Sequence, residues 1–134
     1  MFVLDRRLKL LTILLLITSC FYGCITNRIN NTIRPEWVEH PPVDESGEII
    51  YGVGSSNLIF SIDSNSQREK AIKAAASIVA MQMGVKVYTM TKNTNGKFSY
   101  YSIQLSNGNV VSIIIRDYWN DSNNDMLYVL VETL

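Results

Sequence analysis

Ser66–Gly84, SQREKAIKAAASIVAMQMG, is the stretch whose reading decides the fold. Ser66 followed by Glu69 has the spacing of a capping box, which satisfies backbone N–H groups that a first helical turn leaves unpaired. Beyond it, Ile72, Ala75, Ala76, Val79 and Met83 recur at the spacing of one helical stripe. Lys70, Lys73, Ser77 and Gln82 fall off that stripe, so the segment predicts an amphipathic helix. Ala71, Ala74, Ala75, Ala76 and Ala80 add helix propensity with little bulk, which lets a sheet approach closely. Gly84 is placed to end the helix in a left-handed conformation. Val85, Val87 and Thr89 then alternate with a period of two, so the helix feeds directly into a strand.

Working outward toward the C-terminus, strands are predicted over Val85–Thr91, Phe98–Leu105, Val110–Tyr118 and Met126–Thr133. Phe98-Ser99-Tyr100-Tyr101 is also readable as an ordered loop. The turns are Asn93-Thr94-Asn95-Gly96, Asn107-Gly108 and the Asp121–Asp125 run. Asn-Gly is a strong hairpin signal because both central residues are expected at positive φ, and consecutive hairpins make the strands antiparallel. Val111, Ile113 and Ile115, with Leu127, Val129 and Val131, are expected to cover the helical stripe. Toward the N-terminus, EIIYGVGSS from Glu48 reads as a further strand. Its Gly52-Val53-Gly54 lacks the third glycine of a dinucleotide fingerprint, Asn57 standing in its place, and the helix starts too late to receive a pyrophosphate. A bulge or a close approach between strand and helix is the expectation there. The predicted fold is α+β: one long helix on a four- to five-stranded antiparallel sheet, in β-α-β-β-β order.

The segment Pro35-Glu36-Trp37-Val38-Glu39-His40-Pro41-Pro42 holds three prolines in eight residues, which impose an extended path. Trp37 is expected to pack on the domain; the alternative is an exposed aromatic that docks a partner. Before it, residues 20–34 read as a flexible tether, polar and asparagine-rich over Ile25–Arg34. Residues 1–19 carry Arg6, Arg7 and Lys9 ahead of an apolar run, LLTILLLIT, ending at Ser19-Cys20, which is the layout of an export signal. As a helix Leu10–Ser19 reaches about 15 Å, at about 1.5 Å per residue, against a hydrocarbon core of about 30 Å. Ile17-Thr18-Ser19-Cys20 resembles a lipobox, which implies cleavage between Ser19 and Cys20 and a diacylglyceryl group on Cys20. Cys24 follows bulky aromatics that fit a lipobox poorly, and an uncleaved anchor or ordinary secretion is the other alternative.

Taking Asp5, Arg6, Arg7 and Lys9 from the twelve acidic and twelve basic side chains leaves eleven and nine, a mature net charge of −2. That balance gives no basic face for nucleic acid. His40 is the one histidine, and the two cysteines both lie near the N-terminus, so no protein-only zinc site and no Ser-His-Asp site is expected. Asp117, Asp121 and Asp125 have a four-residue spacing but not the alternating ligands of a calcium loop. No metal, no cofactor and no catalytic residue is expected, and the protein is read as a non-enzyme.

Pro35-x-Trp37-Val38-x-x-Pro41-Pro42, Tyr51-Gly52-Val53-Gly54, the alanine-rich helix running into Val85-Lys86-Val87, and Asp117-Tyr118-Trp119 before the Tyr128–Val131 strand together resemble the Lpp-twenty family of small bacterial envelope lipoproteins. The resemblance covers residues 35–133, read as a single domain over 35–134, plus the lipobox. It implies a membrane-attached protein with no established catalytic residues, sometimes tied to flagellar or outer-envelope structures. The expected function is a structural or protein-interaction role in the envelope, at the outer membrane, with the membrane reached through lipid on Cys20. A homodimer or an envelope protein is the expected partner, since one helix covers one face of the sheet. The interaction candidates are Trp37, Tyr88, Tyr100, Tyr101, Trp119 and Tyr128, with binding of a small apolar or aromatic ligand on the open sheet face as the alternative function.

Overall fold

A computed structural model describes residues 33–58 and 63–134. The leader, Cys20 and Cys24 lie outside the described residues. After a short 3-10 turn, Glu36–Val38, the elements are β1 (Tyr51–Asn57), α1 (Ser64–Gln82), β2 (Val87–Asn95), β3 (Phe98–Leu105), β4 (Val110–Asp121) and β5 (Met126–Thr133). The strands form one antiparallel sheet in the order β1-β5-β4-β3-β2. One long helix packed on a five-stranded sheet is the α+β fold that the periodicities predict. The Phe98–Tyr101 stretch is strand, not loop.

The helix starts earlier than its Ser66 signal suggests. Asp63, in extended backbone, is the N-cap: its carboxylate accepts from the Ser66 N–H at 2.7 Å and its carbonyl from the Gln67 N–H at 3.0 Å. The spacing Asp63-x-x-Ser66 overlaps the expected box, and an ionised carboxylate is the stronger acceptor at a helix N-terminus. At the other end, the Gly84 N–H donates to the Met81 carbonyl and the Val85 N–H to the Ala80 carbonyl, each at 3.0 Å. With Gly84 at φ +73°, this is a Schellman motif, and it closes the helix without a loop. Met83 sits at the C-cap and is 41% exposed, so the buried stripe ends at Ala80.

Ala71, Ile72, Ala75, Ala76, Val79 and Ala80 pack against Tyr101, Ile103, Leu105, Ile113, Val129 and Val131 in one core. Val111, Ile115 and Leu127 adjoin it half-buried, as the strand alternation predicts. The Gly-Val-Gly reading is also settled. A Cβ on Gly54 would stand 2.1 Å from the Ala75 nitrogen and 2.2 Å from the Ala71 oxygen, and one on Gly52 would stand 2.5 Å from the Ala75 oxygen. Absent side chains on β1 and small ones on α1 bring two backbones into contact. Gln67 is the exception among the core-facing residues: a polar side chain 7% exposed. Its side-chain amide donates to the Ser56 and Asp125 carbonyls at 3.3 and 3.2 Å, and its backbone carbonyl accepts from the Ser56 hydroxyl, so the burial of the amide is offset by hydrogen bonds.

Two irregularities re-aim the strands. Tyr88 is surplus between the pairs Val87–Leu105 and Thr89–Gln104 in β2. Arg116 is surplus between Ile115–Val131 and Asp117–Leu130 in β4. Each is a bulge, which shifts the alternation by one residue. In β4, Ile113 and Ile115 face the helix before the bulge, whereas Tyr118 and Asn120 share the helix side with Val129 and Leu127 after it. Asp117 and Trp119 therefore share the opposite side with Leu130 and Tyr128.

The turns depart from the expected Asn-Gly geometry. Positive φ occurs at Gly96, Gly108 and Asp125 but at neither Asn95 nor Asn107. Asn95 pairs with Phe98, leaving Gly96-Lys97 as a two-residue loop with positive φ at its first position, as in a type II′ turn. In the next hairpin the Gly108 N–H donates to the Leu105 carbonyl at 2.9 Å and the Leu105 N–H to the Asn109 carbonyl at 2.8 Å. That is a type I turn followed by a left-handed glycine. β1 begins at Tyr51 and not at Glu48. The N–H groups of Glu48 and Ile49 instead donate to the Asp44 carboxylate at 2.9 Å each, with the Ser46 hydroxyl at 2.6 Å. These bonds, that from Ser46 first, hold the Asp44 carboxyl below the usual carboxylate range.

Candidate functional site: an aromatic cluster on the face opposite the helix

The sheet face turned away from α1 carries most of the sequence-predicted aromatics. Trp119 and Tyr128 are register partners on β4 and β5. Their ring centroids lie 5.5 Å apart at 31°, a tilted pair of a kind that contributes about 0.5–1.5 kcal/mol beyond area burial. The proline-bounded entry segment crosses this face as a strap. Trp37, in the 3-10 turn, donates its indole N–H to the Asp117 carboxylate at 3.1 Å. Arg34 sets its guanidinium 5.4 Å from the Tyr128 ring centroid and pairs with Glu39 at 3.0 Å. Leu130, the register partner of Asp117, is 3% exposed although it points away from the helix core.

Local sequence explains why the strap holds this course. Pro35 fixes φ at −61° with ψ 142°, an extended entry, and its carbonyl accepts the Val38 N–H at 3.1 Å. The tight turn turns the indole toward the sheet. Trp37 is half-buried, tied to the sheet through Asp117.

The remaining candidates separate. Tyr100 lies on the same outer face, half-buried, beside the bond from the Asn93 amide to the Ser102 hydroxyl at 2.8 Å. Tyr88 occupies the β2 bulge at the sheet's edge and is 75% exposed. Tyr101 belongs to the other side: it is buried in the helix-side core, and burial raises its phenol above the usual range, against the pull of Arg68. The structure thus brings together Trp37, Trp119 and Tyr128, places Tyr100 on their face, and keeps Tyr88 and Tyr101 apart from them.

Two members of the cluster have no signal in the local sequence. Arg34 reads as tether, and Asp117 reads as the flank of a hairpin. The clue to Asp117 is chemical: a half-buried indole N–H needs an acceptor, and a carboxylate after a run of three isoleucines is an unusual residue to place in a strand.

The cluster is suited to stacking on planar or apolar groups, with Arg34, Glu39 and Asp117 at its margin. Asp121 is spent in its own turn, accepting from the Asn123 N–H at 3.1 Å and the Asn124 amide at 2.8 Å. Among the described residues no group of three or more His, Cys, Asp or Glu side chains is placed to hold a metal ion. No described helix is long and apolar enough to cross a membrane. Comparison of the chain with protein-family models, with curated proteins and with solved structures finds no match, and the resemblance to the Lpp-twenty family rests on the motifs quoted for it.

Proposed function

We propose that this is a lipid-anchored protein of a bacterial envelope, at the outer membrane, with a non-catalytic structural or protein-interaction role. The observation that carries the reading is the N-terminal layout: basic residues, an apolar run too short to span, and Ser19-Cys20. Two or more acyl chains, at about 0.8 kcal/mol per buried CH₂, make such an anchor stable where one chain binds reversibly. The strapped aromatic face supplies the surface for self-assembly or for an envelope partner, because aromatic and arginine side chains dominate interface energetics. The Trp119–Tyr128 pair favours one second reading, in which that face stacks a small apolar or aromatic ligand.

Labelling cells with a radioactive fatty acid tests the anchor. Label on the wild-type protein and none on Cys20→Ser supports the reading; an unlabelled wild-type protein that keeps its leader sinks it. Light scattering then separates the two roles. A defined oligomer that Trp119→Ala dissolves supports assembly, and a monomer at all concentrations supports the ligand-binding alternative.

A further inference from the structure

α1 lies over β1 and β5 and reaches only the near end of β2. Beside its first two turns, a cleft of about 400 Å³ opens on the helix side of the sheet. Asn65, Arg68 and Glu69 line it from the helix, and Lys92, Ser99 and Tyr101 from the β2–β3 hairpin. Ile72 and Ile115 supply apolar wall. Lys92 and Tyr101 are cross-strand partners in register, so they share one face of the hairpin.

Three features single this cleft out. Tyr101 is 6% exposed, yet its hydroxyl has no hydrogen-bond partner among the described residues. Every fully buried side-chain polar atom among those residues does have one, so the hydroxyl keeps some exposure, and Tyr101 is one of the residues that line the cleft. Buried phenols are ordinarily paired. Second, burial raises the Tyr101 phenol, more than Arg68 lowers it, with Glu69 adding to the rise; the group is a proton donor at neutral pH. Third, Arg68 is oriented but not neutralised. Its guanidinium lies 5.6 Å from the Tyr118 ring centroid, and among the described residues neither Arg68 nor Lys92 has an ion-pair partner.

We propose that this cleft binds a small carboxylate that also carries an amino or hydroxyl group. Arg68, Lys92 and the Tyr101 hydroxyl would receive the carboxylate, and Glu69 would accept from the second group. The placement of charge selects this class: Arg68 and Lys92 suit a carboxylate and Glu69 suits an amino or hydroxyl group beside it, whereas a phosphate dianion brings two negative charges and no cationic group to face Glu69. The volume is within the range of small-molecule sites, about 300–1,000 Å³. The site is distinct from the aromatic face in position and in chemistry, and it does not depend on the lipid anchor.

The test is calorimetric titration of the full chain in detergent micelles with L-serine, acetate and inorganic phosphate. L-serine is expected to bind most tightly and phosphate most weakly. Arg68→Gln and Lys92→Gln should each weaken L-serine about tenfold, the size of one charge-assisted hydrogen bond. Tyr101→Phe should weaken it severalfold without lowering the melting temperature, which separates a binding hydroxyl from a packing ring. Glu69→Gln should erase the preference for L-serine over acetate. No heat from any of the three at about 50 mM, phosphate as the tightest of them, or an Arg68→Gln protein that binds like the wild type would each overturn the proposal.

Discussion

The two edges of the sheet are closed in opposite ways. At β1 the side chains are removed: Gly52 and Gly54 let α1 settle onto the strand. The helix then supplies its own partners for the strand's carbonyls, Gln82 for Tyr51 at 2.7 Å and Gln67 for Ser56 at 3.3 Å. At β2, among the described residues, no helix or strand is laid along the outer edge. A bulge at Tyr88 and an exposed lysine that faces the helix side, Lys92, blunt it instead, two devices that discourage pairing with another chain. The lesson is that one helix serves one edge. By committing to β1, α1 moves off-centre, and the cleft beside Arg68 is the space it leaves.

The largest expected effect tests the sealed edge. Gly54→Ala places a Cβ against two backbone atoms that cannot rotate away, and we expect a loss of more than about 3 kcal/mol, past the usual overpacking range of about 1–3. Gly52→Ala should cost less, because one of its close contacts is the movable Val79 methyl at 2.8 Å. Urea midpoints decide both, and a neutral Gly54→Ala would remove the close approach as the reason for the seal. Next, Asp63→Ala should cost about 1 kcal/mol as a lost N-cap, and Ser66→Ala well under half of that; reversed sizes in thermal melts would restore Ser66 as the cap.

Acid reaches the segment that leads into β1. The Asp44 carboxyl is lowered from 3.8, so its contribution is fully present above that value and is lost as pH falls through the lower folded one. Wild type should therefore exceed Asp44→Asn in stability by a constant amount at neutral pH, the two converging in strong acid; parallel curves down to pH 2 would contradict the bonding at Asp44. The smallest effect on stability is expected at the open edge. Lys92→Val should shift stability by no more than about 0.5 kcal/mol, while sedimentation velocity shows new self-association through β2. A protein that stays unassociated would assign the blunting of that edge to the Tyr88 bulge alone.

Sequence periodicity is enough for the helix, the strands and the antiparallel pairing of the consecutive hairpins, because each is a local property; the pairing of β1 with β5 joins distant parts of the chain and has no local signal. Periodicity is also enough for the Gly-Val-Gly contact, since two glycines facing an alanine-rich helix have few other uses. What escaped it were choices made by one residue among near equivalents. Asp63 and Ser66 are both competent caps, and only the helix start distinguishes them. Asn95 and Asn107 precede glycines alike, yet loops of two and three residues put both asparagines at negative φ. The aromatic face was foreseen in composition and not in membership. Alternation carries no information about where a strand gains a residue, so Asp117 could not be assigned to Trp37, nor Tyr101 separated from Tyr128 with assurance. Arg34 was hidden for another reason, because a cation–π contact across the fold leaves no trace in its neighbours.

The surplus residue in β4 has one more consequence. A twelve-residue strand in strict alternation would serve the same side of the sheet along its whole length; Arg116 resets the phase partway. The near half of β4 belongs to the core, and the far half hands Trp119 and Asp117 to the outer surface while returning Tyr118 to stack under Arg68. Were Arg116 paired into the ladder instead of bulged out of it, the two sets would trade faces, undoing the strap's anchor and the arginine's support in one stroke.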